Sequence, residues 1–239
     1  MQKPIQLLFL AVLNFVFSTA IIANPTKNSQ DKPTKLLSSL TCVGNPKLQQ
    51  ARSLELQQLV AADQARRVSK NGELIDFRKI DVNKMQKEDL ATRKRVGEIF
   101  AEGCLTTAKD YLAAALVYQH GDVPDHYYQT YIWATRAAKT GANEAEIKSA
   151  KELAALAIDR YLVSLGNKQL FGTQFHPTSS EDSCVCMRQV EPGFTDDLRK
   201  EYLGQSLHKR SLHSFALFNK GKNCPNVECP ENLEPTPKT

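Results

Sequence analysis

Apolar residues between positions 45 and 166 recur at intervals of three and four, which indicates a series of amphipathic helices. Five helix-start signals divide this stretch: Asn45-Pro46, Asp81, Thr106 or Thr107, Pro124, and Asn143 with Glu146. Four glycines stand where helices would end: Gly103, Gly121, Gly141 and Gly166. The pattern therefore predicts five helices, and the short connections between the last three make those helices antiparallel neighbours.

The pattern changes after Gly166. Two short alternating segments, Phe171–Phe175 and Cys184–Val190, indicate a two-stranded hairpin, and Thr195 begins a short helix that ends near Tyr202. From Ser206 the chain is basic and then proline-rich. We therefore predict a mainly α single domain over residues 41–205. It has about five to six antiparallel helices and a small two-stranded β-hairpin near its C-terminal end. Residues 206–239 form an extension tied down by cysteines.

The N-terminus has the features of an export signal. Lys3 precedes the apolar run Ile5–Phe17, and Ser18-Thr19-Ala20 supplies the small residues of a cleavage site. Residues 1–20 are thus predicted to be a signal peptide, and residues 21–40, rich in Lys, Thr, Pro, Ser and Asn, a disordered leader. The prediction is an exported protein, periplasmic or secreted, with no membrane span after cleavage.

Composition adds little about partners. Hydrophobic residues make up 41% of the chain and charged residues 24%, which is typical of a globular domain. The net charge is +5, but Arg66-Arg67 and Arg93-Lys94-Arg95 alternate with Asp63, Glu88, Asp89 and Glu98. These clusters are interpreted as solvated helix faces, so no nucleic-acid partner is predicted. No phosphate-binding loop, dinucleotide fingerprint or metal-ligand spacing is found, so no cofactor or metal is predicted either.

Six cysteines in an exported chain indicate disulfides. They are Cys42, Cys104, Cys184, Cys186, Cys224 and Cys229. Fifteen pairings are possible, and we favour bonds from the Cys184/Cys186 pair to the Cys224/Cys229 pair, which leaves Cys42 for Cys104. The alternative is a zinc site made by the last four cysteines, although a C-x-C half is unusual for such a site.

The stretch from Asp159 to Phe175 holds the best candidate site. Asp159 lies on an otherwise apolar helix face, and a buried carboxylate needs a cation or several donors. His120, at the end of the third helix, is the first candidate partner, either in a structural ion pair or as a general acid/base pair. Asp63 and Arg67 make an intrahelical pair or a pocket wall. Gln169, Thr173 and Gln174 suit either a ligand or the carbonyls of a helix end.

Several of these residues also occur together in a known pattern. The pieces are Asp63-Gln64-x-x-Arg67, Gln119-His120, Asp159-Arg160, Gln169, Phe171-Gly172-Thr173-Gln174-Phe175 and Gly193-Phe194-Thr195-Asp196-x-Leu198-Arg199. The region from about residue 54 to 202 resembles a bacterial helical domain family of unknown function, number 6624. The resemblance implies that Gln119, His120, Asp159, Arg160, Gln169, Thr173 and Gln174 converge. It implies no activity, and Gly103-Cys104-Leu105 departs from the family's frequent Gly-Trp-Pro.

Three functional hypotheses follow. The first is a domain that binds an unknown protein or small-molecule ligand through a polar pocket around the Gly-Thr-Gln-Phe turn. The second is a hydrolase-type enzyme that uses His120 and Asp159 as acid and base. The third is a Sel1-like interaction module, because residues 113–142 are similar to one unit of such a solenoid. The sequence names no reaction, partner or oligomeric state.

Overall fold

The computed structural model describes residues 41–68, 75, 80–178, 184–219 and 221–230. These residues form seven helices: α1 Pro46–Ala65, α2 Val82–Ala101, α3 Ala108–Gln119, α4 Pro124–Thr140, α5 Glu144–Ser164, α6 Asp196–Leu203 and α7 Leu207–Phe218. Two short strands, β1 Phe175–Pro177 and β2 Val185–Met187, pair antiparallel with His176 opposite Cys186. The predicted mainly α fold with one small C-terminal hairpin is confirmed. The predicted signal peptide and leader lie outside the described residues, and so does the end of the tail from residue 231.

The first five helices begin where the sequence places their caps. The side chains of Asn45, Asp81 and Asn143 each accept a hydrogen bond from the backbone N–H three residues later. Thr107 and Asp110 form a reciprocal capping box at the start of α3. Because these caps satisfy N–H groups that have no partner inside a helix, they fix the start of each helix.

Helix α3 lies at the centre of the bundle, where it contacts α1, α2, α4 and α5. Its middle is a run of small buried residues, Ala113, Ala114 and Ala115, which lets neighbouring helices approach closely. The main core is formed by these alanines with larger side chains such as Leu56, Ile99 and Trp133. The C-terminal end of α3 consequently lies among several other helices, and the polar residues Gln119 and His120 stand there.

The C-terminal region differs from the prediction in two places. First, β1 starts only at Phe175, because the residues before it form a turn bound to α5. Second, residues 207–218, expected in a polar and basic extension, form α7. Ser206 caps this helix, and Phe215 and Phe218 pack on Phe175 of the hairpin. The apolar face of α7 is sparse and interrupted by basic residues, which is why its period was not evident.

All six cysteines are in disulfides, and the favoured pairing is confirmed. The bonds are Cys42–Cys104, Cys184–Cys224 and Cys186–Cys229. The last two join the β2 region to the segment after α7. Their thiols are consumed, so the zinc alternative is wrong. Among the helices of the described residues, none is long and apolar enough to cross a membrane.

Candidate functional site

The carboxylate of Asp159 is held by the turn that follows α5. Its oxygens accept hydrogen bonds from the backbone N–H groups of Leu170 at 2.7 Å, Phe171 at 2.9 Å and Thr173 at 3.0 Å, and from Thr173 Oγ1 at 2.9 Å. The residue has no exposed surface. Several donors therefore satisfy the buried charge, as the sequence required, but they come from the backbone rather than from a cation.

The amide side chains of this turn also have internal partners. Gln169 Nε2 donates to the carbonyls of Gln174 at 3.1 Å and Arg188 at 2.7 Å, while Gln169 Oε1 accepts from the backbone N–H of Gln174 at 2.7 Å. Gln174 Nε2 donates to Thr173 Oγ1 at 2.9 Å. These groups therefore hold the turn itself, and the carbonyls they bind are not those of a helix end, as the structural interpretation of the sequence expected.

The partner of His120 is Asp63. Asp63 Oδ2 lies 2.8 Å from Nδ1 of His120, which follows directly after α3. A carboxylate only accepts hydrogen bonds, so Nδ1 carries the hydrogen and Nε2 is the acceptor nitrogen of the neutral ring. The contact expected between His120 and Asp159 is therefore not formed. His120 contacts Asp63 instead, because the end of α1 packs beside the end of α3, and Asp159 contacts the turn after α5.

Asp63 also belongs to a buried charged network. Arg67 Nη1 donates to Asp63 Oδ1 at 2.9 Å, so the intrahelical pair expected from the sequence is present. The same guanidinium donates through Nη2 to Asp89 of α2, and Arg66 Nη2 donates to the other oxygen of Asp89 at 3.1 Å. The interpretation as solvated helix faces is wrong for Asp63, Arg67, Asp89 and Arg93, which are all buried, whereas Lys94 and Glu98 are exposed as expected.

Arg160 joins this region to the turn after α5. Its Nη1 donates to the carbonyl of Gln119 at 2.6 Å, and its Nε lies 3.5 Å from Gln174 Oε1. The guanidinium also lies over the ring of Tyr127, 5.5 Å from the centroid. Of the residues that the family resemblance groups together, Gln119, Arg160 and Gln174 are thus in contact, while Asp159, Gln169 and Thr173 stabilise the turn beneath them.

Burial and nearby charges set the protonation of these groups. Burial lowers the pKa of His120; Asp63 acts in the opposite direction, while Arg67 and Arg160 lower this pKa further. For Asp63, burial acts to raise the pKa, but His120, Arg67 and Arg66 together bring it below the ordinary value. Burial raises the pKa of Asp159 to about 6, although its hydrogen-bond donors oppose the rise. At neutral pH the site therefore presents a neutral imidazole held by an ionised carboxylate.

The lowered pKa of His120 predicts how the stability of the fold depends on pH. Folded His120 resists protonation, whereas the unfolded side chain takes up a proton below its ordinary pKa of 6.5, so the folded state loses stability as the pH falls below that value. We expect the difference in the free energy of unfolding between the wild type and His120→Gln (wild type minus variant) to decrease as the pH is lowered from 7.5 to 5. Urea unfolding at several pH values measures it. His208→Gln, at an exposed position, is the control; equal pH dependence of wild type and His120→Gln would contradict the argument.

Comparisons with known proteins identify no relative of this chain. No family model, curated protein or solved structure matches the chain.

Proposed function

We propose that this chain is an exported, disulfide-stabilised helical domain that binds a small polar ligand at His120. Export is supported by its three disulfides and by the signal-like N-terminus. One observation carries the binding role: the imidazole is fixed through Nδ1, and its Nε2 makes no hydrogen bond with any residue that the structure describes. About 9% of the His120 side chain remains exposed.

The chemistry of the surroundings defines the ligand. A neutral imidazole acceptor takes a hydrogen bond from a hydroxyl, an amide N–H or a water molecule. Gln119, the preceding residue, has a buried Oε1 without a partner among the described residues, which is a second acceptor at this end of α3. The guanidinium groups of Arg67 and Arg160 contribute a positive potential at the ring, which the larger opposite effect of Asp63 offsets. A ligand that donates hydrogen bonds from hydroxyl or amide groups fits these properties best.

A hydrolase-type activity is the second candidate, and the Asp63–His120 hydrogen bond favours it. In general-base catalysis a carboxylate on Nδ1 orients the ring so that Nε2 can take a proton from an attacking water. In this arrangement Asp63 orients the ring of His120, and Asp159, expected to act with His120 as acid and base, takes no part. Asp159 is unsuited to that role because it is fully buried and its oxygens are occupied by the turn.

Two other interpretations are supported to different degrees. Membership of the helical family named above remains a proposal, supported by the contacts among Asp63, Arg67 and His120 and between Arg160 and Gln119. A Sel1-like module needs about three stacked helix pairs of similar length. Among the described residues, the three successive antiparallel helices are 12, 17 and 21 residues long, which gives that proposal little support.

The binding proposal is tested by NMR on protein labelled in the histidine rings. Panels of sugars, amino acids and nucleosides are added to wild type, to His120→Gln and to His208→Gln. We expect a compound with hydroxyl or amide donors to shift the His120 ring signals and to raise the melting temperature of wild type and His208→Gln. The same compound should leave the melting temperature of His120→Gln unchanged. Ligands that bind His120→Gln as well as wild type would refute the site.

The hydrolase candidate is tested separately with chromogenic esters, amides, phosphoesters and glycosides. If wild type hydrolyses one of them, loss of the base in His120→Gln should lower kcat by roughly 10²- to 10⁴-fold. Activity retained in that variant would assign the reaction to another residue.

A further inference from the structure

We infer that Asp89 of α2 is a positioning residue for His120, which it reaches through Arg67 and Asp63. The inference deepens the function proposed above and rests on it, because it concerns how the same imidazole is held.

A continuous chain of hydrogen bonds joins α2 to the C-terminal ends of α1 and α3. Asp89 accepts from Arg67 Nη2, Arg67 Nη1 donates to Asp63 Oδ1 at 2.9 Å, and Asp63 Oδ2 lies 2.8 Å from His120 Nδ1. Asp89, Arg67 and Asp63 are all buried, and the side chain of His120 is 9% exposed. The buried groups therefore form a continuous connection from α2 to the imidazole.

Asp89 also fixes the orientation of the Arg67 guanidinium. A guanidinium is planar and its donors form a rigid fork, so a carboxylate on each Nη fixes the plane of the group. With Nη2 held by Asp89, Nη1 is directed at Asp63 Oδ1 and also at the carbonyl of Asp63, at 2.9 Å. Asp63 is then left with Oδ2 toward His120. If Asp89 is removed, the guanidinium keeps only the contacts at one end and loses its fixed plane.

The charges around His120 determine the direction in which its pKa should change. The charged groups that face His120 are Asp63 and Arg67 from the end of α1, Arg160 from α5, and Arg93 from α2, whose Nη1 donates to the His120 carbonyl at 3.0 Å. Asp89 partly neutralises Arg67. Without it, the positive charge of Arg67 acts more fully on His120 and disfavours the imidazolium. Loss of Arg67 itself must act in the opposite direction.

The test is an NMR titration of the His120 ring in wild type, Asp89→Asn, Arg67→Gln and the double variant. We expect Asp89→Asn to lower the pKa of His120 and to reduce the population of the tautomer protonated at Nδ1. Arg67→Gln should raise this pKa. In the double variant the effect of Asp89→Asn should be smaller than in wild type, since the connection through Arg67 is broken and only the weaker bridge of Arg66 Nη2, 3.1 Å from Asp89 Oδ1 and 3.5 Å from Asp63 Oδ1, still joins the two carboxylates. If Arg67→Gln does not fold, Arg67→Lys, which keeps the charge without the fork, replaces it in the same cycle; it should reduce the population of the tautomer protonated at Nδ1 without the rise in pKa that loss of the charge produces.

Glu88→Gln is the matched control, because Glu88 is the adjacent carboxylate on α2 and is more exposed, with its Oε2 3.8 Å from Arg66 Nε. It should leave the His120 titration almost unchanged. Equal effects of Asp89→Asn and Glu88→Gln, or an Asp89→Asn effect that persists undiminished without Arg67, would overturn the positioning role. This readout needs no ligand, so it can fail while a ligand is found at His120, or succeed while none is.

Discussion

Asp159→Ala is expected to lower the free energy of unfolding by about 3–5 kcal/mol, because it removes the acceptor of several buried hydrogen bonds at once. The backbone N–H groups of Leu170, Phe171 and Thr173 all point at this carboxylate, as does Thr173 Oγ1. Each would be left buried without a partner or exposed by local unfolding. Equilibrium urea unfolding of the two proteins, with disulfides intact, gives the difference.

Two further variants separate hydrogen bonding from general sensitivity. Asp159→Asn should have an intermediate effect, since its carbonyl oxygen still accepts while its NH₂ meets other donors. Asp197→Asn, at a carboxylate on the first turn of α6 whose side chain is 93% exposed, should change stability by less than about 0.5 kcal/mol. If Asp159→Ala costs no more than this surface substitution, the turn does not depend on the carboxylate.

The partner of Asp159 illustrates how far the sequence can be interpreted. Its place on an apolar helix face correctly required a partner, yet the partner is a backbone turn that no side-chain pattern encodes. The turn depends on Gly172, which has a φ of 71°, and an added Cβ there would lie 2.4 Å from Leu207 Cδ1. The left-handed φ therefore requires the glycine, and a larger residue would also displace the side chain of Leu207 on α7, a helix that the sequence pattern did not predict.

Helix α2 shows why Asp89 was missed. Its bounds were predictable from Asp81 and Gly103, but which of its residues are buried was not. In the structure Leu90 is 61% exposed, whereas Asp89 and Arg93 are buried against the ends of α1 and α3. A charged residue that is buried by pairing with another helix has no signature in the periodicity of its own helix. The Asp63–Arg67 pair was found because the two residues are only four positions apart in the sequence.

Replacement of both Cys42 and Cys104 by Ala is expected to lower the free energy of unfolding by about 4 kcal/mol. The bond closes a loop of 62 residues, and opening a loop of that length increases the conformational entropy of the unfolded chain by a corresponding amount. Both cysteines are buried, and the backbone N–H of Cys42 donates to the carbonyl of Glu102 at 3.0 Å. The bond therefore fixes the start of α1 against the segment between α2 and α3. Urea unfolding measures the loss, and mild reduction of the wild type should reproduce part of it.

The position of this bond also makes a spatial prediction. Cys42 precedes the first turn of α1, whereas Asp63 is in its last turn, so the disulfide and the His120 site are at opposite ends of the helix. Loss of the bond should release the start of α1 first and leave the His120 ring signals at their wild-type positions under native conditions. Thiol titration of denatured, unreduced wild type should detect almost no free thiol. Six reactive thiols, or a double-alanine variant as stable as wild type, would contradict the role given to this bond.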